Sequence, residues 1–323
     1  MDTKREPVMP GQTFGAELVL LGRPVAHSVS PAFQTAGLRA CDLGWRYRAV
    51  LADEATVERA FAAMESDDLV GANVTLPWKG LAARGRFAPS DSVVRTGAAN
   101  TLWRDGQGAC RTANTDVYGV RASLHALGIR EGDPVEAVVL GGGGAAAAAI
   151  SCCRGYRLPV RVVVRRPRAV TAILAQDLVE EVDVRCWDAS ALDDLRGSLL
   201  VIDATSLAHQ DPRVASRAYR VLGLAKPMAD SRWLSLSYSR ERLSFEKLAL
   251  QAGAPCLDGR VMLLHQGAVS FELWTGLEAP LQVMASALDS ATNAIASGRM
   301  PTEPIHEAVR AGVEAERFLA RGS

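Results

Sequence analysis

Lys79 stands two residues past a proline in the stretch Gly71-Ala72-Asn73-Val74-Thr75-Leu76-Pro77-Trp78-Lys79-Gly80. Leu69, Val70, Ala72 and Val74 predict a buried strand, and Pro77, which has no N–H to give to a sheet ladder, stops it. A lysine at a sheet mouth, beside a hydroxyl (Thr75) and an amide (Asn73), can hold an anion or protonate a carbonyl oxygen. Taken alone, it reads more simply as a solvated loop lysine. Upstream, Ser28 and Ser30 alternate in His27-Ser28-Val29-Ser30-Pro31 ahead of a helical stretch, Ala32 to Ala40. Two hydroxyls beside a helix N-terminus make a neutral anion cradle; the plainer reading has Ser30 as N-cap and Pro31 as the first helical residue. Asn100 and Asp116 fall at predicted strand ends, in Gly97-Ala98-Ala99-Asn100-Thr101 and Asn114-Thr115-Asp116, where both types are also ordinary turn residues.

A second group of residues points to a nucleotide. Ala137 to Leu140 is a short apolar strand, and Gly141-Gly142-Gly143-Gly144-Ala145-Ala146 follows it in the pattern G-x-G-x-x-A. An alanine-rich helix (Ala145 to Arg154) and a second strand (Val160 to Val164) complete the context that a dinucleotide fingerprint requires. Glycines let the backbone touch a pyrophosphate, and the helix N-terminus adds positive potential; a glycine turn that binds nothing is the plainer reading. At the end of the second strand, where an NAD-selective domain places a carboxylate, the chain has Arg165-Arg166-Pro167-Arg168. Cations there pair with a 2′-phosphate and favour NADP over NAD. Thr205 and Ser206 end a further apolar strand, Leu199 to Ala204, on the edge that faces a cofactor in open α/β sheets.

The elements that must hold these groups are legible as a β-α-β-α-β start. They are Ala16–Leu21, the helix after Pro31, Trp45–Leu51, a helix from Glu54 to Met64, and the strand before Pro77. After Lys79 the chain reads as polar until Gly97. Val117 to Gly128 reads as the helix leading into a second α/β unit that starts at Pro134. There Val182–Cys186 and Ser231–Tyr238 read as strands, and Phe245–Gln251, Gly259–Gly276, Ala285–Ala296 and Glu303–Leu319 as helices. The expected division is a loose leader over 1–15, a substrate-binding domain over 16–116, a Rossmann-like domain over 117–256, and C-terminal helices over 257–323 that return to the first domain.

Composition excludes several functions. Thirty-six basic and 36 acidic side chains balance, so no electrostatic footprint points to nucleic acid or an anionic membrane. No apolar run approaches the about 18 residues of a membrane helix, which predicts a soluble protein. The six cysteines form no C-x-x-C pair, so buried free thiols in a reducing cytoplasm are expected, with no zinc site.

Read together, these motifs resemble one family. Gly22-x-Pro24-x-x-His27-Ser28-x-Ser30-Pro31, Asn73-Val74-Thr75-x-Pro77-x-Lys79, Gly97-Ala98-x-Asn100-Thr101 and Asn114-Thr115-Asp116-x-x-Gly119 occur in order. The glycine loop, Ala204-Thr205-Ser206 and Gly259-x-x-Met262-Leu263-x-x-Gln266 follow them. Over about Leu18 to Gly276 the chain is similar to shikimate dehydrogenase. The resemblance implies NADP-dependent hydride transfer between 3-dehydroshikimate and shikimate. It implies that Ser28 and Ser30 bind the substrate carboxylate, that Thr75, Asn100, Asp116 and Gln266 hold ring hydroxyls, and that Tyr238 contacts substrate. Lys79 would be the catalytic group, with Asp116 keeping it charged and oriented. The cofactor set would be Gly141, Gly142, Gly143, Gly144, Ala145, Arg165, Arg166, Thr205, Ser206 and Gly259. The family pattern departs on the cofactor side, where Ala208 and His209 replace a glycine and a methionine and Ser235 replaces an acid. Alternatives that stay open are a paralogue acting on aminoshikimate or quinate, and a non-catalytic sensor of an NADP/shikimate-type ligand. A small-molecule partner is implied, with a homodimer left open.

Overall fold

The computed structural model describes residues 17–167, 182–224, 230–239 and 241–292. The leader, Arg168, and the helix expected over 303–319 lie outside the described residues. Two compact α/β units emerge: the first takes residues up to Thr115 and resumes at Gln266, and the second runs from Asp116 to His265. The return to the first unit therefore falls inside a helix, Arg260–Thr275, rather than at 256/257.

In the first unit, β1 (Leu18–Gly22), β2 (Tyr47–Leu51), β3 (Gly71–Val74), β4 (Ala88–Pro89), β5 (Thr101–Arg104) and β6 (Cys110–Ala113) form one sheet in the order β2-β1-β3-β5-β6-β4. β1 pairs in parallel with β2 and β3, as the β-α-β-α-β reading requires, and β3 then pairs antiparallel with β5. β1 lies inside the sheet, so all five of its residues are buried and apolar or glycine. Val19, Leu21, Val74 and Leu102 pack on Val57, Phe61 and Met64 of the helix Glu54–Glu65, whose N-cap Asp53 accepts a hydrogen bond from the Thr56 N–H.

In the second unit, β7 (Val135–Leu140), β8 (Val160–Val164), β9 (Asp183–Cys186), β10 (Ser198–Asp203), β11 (Arg232–Ser235) and β12 (Cys256–Leu257) form a wholly parallel sheet ordered β12-β11-β10-β7-β8-β9. Alternate residues of β7 serve opposite faces: Ala137 and Val139 join one core with Ile150, while Val138 and Leu140 join another with Trp233 and Phe245. A sheet covered on both faces explains the apolar runs of its inner strands, Ala137–Leu140 in β7 and Leu199–Ile202 in β10.

Several expected boundaries shift. β2 starts at Tyr47, not Trp45, and β3 at Gly71. β11 stops at Ser235, leaving Tyr238 beyond the strand. The last described helix is Leu281–Thr292, so it begins four residues earlier than expected, where the Val283 and Met284 N–H groups bond to the Pro280 carbonyl. The polar stretch from Lys79 holds short helices, Lys79–Ala83 and Asp91–Thr96, around β4. A helix at Pro212–Val221, capped by the Asp211 side chain, was not anticipated. All six cysteines are free, as expected, but Cys186 is exposed and Cys41, Cys110 and Cys256 are only partly buried.

Candidate active site

The Thr75–Lys79 segment is fixed from its backbone. The Thr75 N–H bonds to the Leu21 carbonyl at 2.8 Å, the Arg23 N–H to the Leu76 carbonyl at 2.8 Å, and the Trp78 N–H to the Thr75 carbonyl at 2.9 Å. The Trp78 indole N–H reaches the Ala52 carbonyl at 3.0 Å. The Leu76–Pro77 and Arg23–Pro24 peptides are both cis. Gly22 makes room for this segment, because a Cβ there would lie 2.3 Å from Thr75 Cγ2. Lys79 opens its short helix, is half-buried, and accepts the Ala99 N–H at its carbonyl at 2.9 Å, which ties it to the residue before Asn100.

Asn100 sits in a buried polar floor. Its Oδ1 accepts from the Thr115 N–H at 2.8 Å, from Thr115 Oγ1 at 3.1 Å and from Thr101 Oγ1 at 2.9 Å. Its Nδ2 donates to Gln266 Oε1 at 3.2 Å, so two residues 166 apart in sequence meet side chain to side chain. Asn73 donates to the Asn100 carbonyl at 3.0 Å and to Ser270 Oγ at 3.1 Å, and accepts from the Tyr47 hydroxyl at 2.8 Å. Beside Gln266, a Cβ on Gly267 would meet Phe33 at 2.5 Å, and the Gly267 carbonyl accepts from Gln34 Nε2 at 2.9 Å. Buried amides and hydroxyls of this density persist only when mutually satisfied. Asn73, Thr101, Thr115 and Ser270 were not among the sequence-derived site residues, although the paired Asn-Thr dipeptides at 100–101 and 114–115 carried a signal.

Ser28 and Ser30 are brought together, with the Ser30 N–H donating to Ser28 Oγ at 3.2 Å. Ser30 is not the N-cap: Val29 occupies that position, no side chain caps the helix, and Ser30 is its first residue.

In the second unit, Asp116 is 4% exposed and opens the helix Asp116–Ala126, where the helix dipole favours a carboxylate. The glycine turn follows β7 directly. Gly141 has φ +111°, and a Cβ there would lie 2.9 Å from the Ala204 carbonyl, so only glycine fits. Around Gly143, by contrast, a Cβ would meet nothing within 4 Å. Gly144 starts a 12-residue helix whose N-terminus has no side-chain cap. Open space over a glycine at an uncapped helix start suits a pyrophosphate. Ala145 lies in that first turn, and Arg165 and Arg166 are exposed just past β8 with no acid between them. At the end of β10, buried Asp203 accepts from Thr205 N–H at 3.1 Å, Thr205 Oγ1 at 2.7 Å and the Tyr219 hydroxyl at 2.7 Å, which fixes the turn into Ser206. Ala208 lies in the short 3₁₀ turn after it, and Ser235 is fully buried at the end of β11. Gly259 is held by its N–H to the Ser237 carbonyl at 2.9 Å, and a Cβ there would be 2.7 Å from the Leu236 carbonyl. Tyr238 is half-buried in the same loop. No cluster of three or more His, Cys, Asp or Glu side chains that could hold a metal occurs among the described residues.

A wholly parallel sheet with a glycine-lined first turn, joined in one chain to an α/β unit floored with amides and hydroxyls, defines a two-domain dinucleotide-dependent oxidoreductase. Comparison with known proteins narrows this class. Residues 20–102 match the shikimate dehydrogenase substrate binding domain, and 259–288 match the shikimate 5'-dehydrogenase C-terminal domain. The shikimate dehydrogenase (NADP(+)) of Thermosynechococcus vestitus is 32% identical over 288 residues, covering 88% of this chain and 98% of the relative. That of Halobacterium salinarum is 36% identical over 278 residues, covering 83% and 97%. The shikimate 5-dehydrogenase of Thermus thermophilus, solved in complex with NADP(H) and shikimate, superposes with a TM-score of 0.70 at 30% identity, covering 85% of this chain and 99% of that one. The chain belongs to the shikimate dehydrogenase family.

Proposed function

We propose that this protein catalyses the reversible, NADP-dependent reduction of 3-dehydroshikimate to shikimate, a step of aromatic amino acid biosynthesis. The observation that carries the proposal is the Asn100–Gln266 contact, made within the unit that also holds Thr75, Lys79, Ser28 and Ser30. A polyhydroxylated ring carboxylate needs such a set. Ser28 and Ser30 would bind its carboxylate, Thr75, Asn100, Asp116 and Gln266 would take its hydroxyls, and Tyr238 would contact it. Lys79 would donate a proton to the C3 oxygen as negative charge develops there, and would take it back in the reverse direction. Asp116 would keep that ammonium oriented.

NADP, when bound, supplies or takes up the hydride. The turn Gly141, Gly142, Gly143, Gly144 and Ala145, open above Gly143, would hold its pyrophosphate, and Arg165 and Arg166 suit the 2′-phosphate. Thr205, Ser206 and Gly259 would line the nicotinamide end. No helix among the described residues is long and apolar enough to cross a membrane. On this reading the enzyme is cytoplasmic. The protein would act on small molecules without nucleic acid, with dimerisation open to measurement.

The test is a spectrophotometric panel at the reduced-nicotinamide band, pairing NADP or NAD with shikimate, quinate and aminoshikimate. NADP with shikimate is expected to give the highest kcat/KM. Absence of turnover with all three substrates would sink the enzyme reading, and calorimetric binding without turnover would favour a ligand sensor.

A further inference from the structure

We infer that Ser270 is a positioning residue for substrate recognition: it anchors the helix turn that carries Gln266 and so holds that amide in the orientation its contact with Asn100 sets. This rests on the reading of Asn100 and Gln266 as substrate-contacting groups.

The donor–acceptor sense of the polar floor follows from groups whose identity is fixed. A backbone N–H only donates, so the Asn100 atom 2.8 Å from the Thr115 N–H is its oxygen. The other end of that amide is therefore NH₂, and the Gln266 atom 3.2 Å from it is an oxygen. The Thr115 hydroxyl has one hydrogen, given either to the Asn100 oxygen at 3.1 Å or to this Gln266 oxygen at 3.3 Å. Gln266 is thereby oriented with its carbonyl against the floor and its NH₂ at the opposite end. The same logic fixes Asn73, whose Nδ2 faces the Asn100 carbonyl at 3.0 Å.

This orientation holds only while the helix turn stays seated. Ser270 lies one turn beyond Gln266, is fully buried, and donates to the Gln266 carbonyl at 3.0 Å. Its oxygen lies 3.1 Å from Asn73 Nδ2, 2.8 Å from Thr101 Oγ1 and 3.2 Å from Thr115 Oγ1. One hydroxyl thus links the Gln266 turn to the ends of β3, β5 and β6.

Loss of this hydroxyl leaves the fold its other contacts. Asn73 Nδ2 keeps the Asn100 carbonyl and Thr101 Oγ1 as acceptors, and alanine suits a helix interior. The experiment is therefore Ser270→Ala in the full chain, with KM for shikimate, KM for NADP, kcat and Tm measured beside wild type. The expected result is a rise of about tenfold in KM for shikimate, the scale of one net hydrogen bond, with KM for NADP within twofold and Tm nearly unchanged. An unchanged KM for shikimate, or an equal rise in both KM values, would overturn the inference. Should Ser270→Ala fail to fold, Ser270→Cys keeps the volume while weakening the hydrogen bonds, and the same split decides. A wild-type protein inactive with shikimate and NADP would instead overturn the proposed function, so the two failures are distinct.

Discussion

Gly22 and Thr75 occupy one another's space. The first has no side chain, and the methyl group of the second fills the place where one would stand, 2.3 Å from an ideal Cβ. The pair joins the end of β1 to the residue from which the Lys79 loop departs.

Gly22→Ala is therefore expected to push Thr75 out of register, destabilising the protein by about 1–3 kcal/mol as an overpacked site does. Its kcat/KM for shikimate should fall by about tenfold or more, since misplaced positioning groups cost that much. Thr75→Ser deletes the methyl in question. The double variant Gly22→Ala/Thr75→Ser should recover Tm relative to Gly22→Ala alone; no recovery would show that the methyl contact is not the cause.

Lys79→Ala should lower kcat by about 10²–10⁴-fold, the usual worth of a proton-transfer group. Shikimate binding, measured by calorimetry, should survive within about tenfold, because the remaining hydrogen-bonding groups stay in place. A variant with near-normal kcat would remove Lys79 from the chemistry.

Arg165→Ala/Arg166→Ala should raise KM for NADP by about tenfold or more through loss of charge-assisted contacts to the 2′-phosphate. KM for NAD, which lacks that phosphate, should change little. Equal effects on both cofactors would point to the pyrophosphate or to folding instead.

Glu246 supplies a pH signature. Burial, helped by Asp258, raises its carboxyl to about 7 in the folded protein. The folded state therefore holds a proton that the unfolded chain releases near pH 4.5, and the sign follows from linkage. The stabilising contribution is complete below that lower value and is lost as pH rises towards 7. Glu246→Gln should remove this dependence, so its Tm should exceed wild type at pH 8 by more than it does at pH 5. Parallel Tm profiles for the two proteins would refute the assignment.

Much of the fold was legible because parallel, doubly covered strands carry apolar runs, such as Ala137 to Leu140 within Val135–Leu140, that proline, glycine or arginine punctuates. The glycine turn was legible for a harder reason, since the Ala204 carbonyl leaves Gly141 no room for a side chain. The region from Lys79 to Thr96 was not, because elements of five, two and six residues are too short to show a period. The Pro212–Val221 helix did carry a signal in Asp211-Pro212, a capping acid followed by a proline. At the site, Lys79, Asn100 and Gln266 were singled out by motif, whereas Ser270 and Tyr47 were not. A serine inside an apolar helix and a tyrosine in a strand look unremarkable until tertiary contacts from β3 and β5 give them partners.

The committed carbonyl of Gln266 has a consequence for substrate analogues. An ammonium carries hydrogens and no lone pair, so where it replaces the hydroxyl that meets this amide, hydrogen would face hydrogen. A hydroxyl or an ether oxygen meets the same N–H comfortably. With Gln266 in the substrate-binding role proposed above, the polar floor would select against an ammonium at that ring position, through an orientation set by the backbone N–H of Thr115 two hydrogen bonds away.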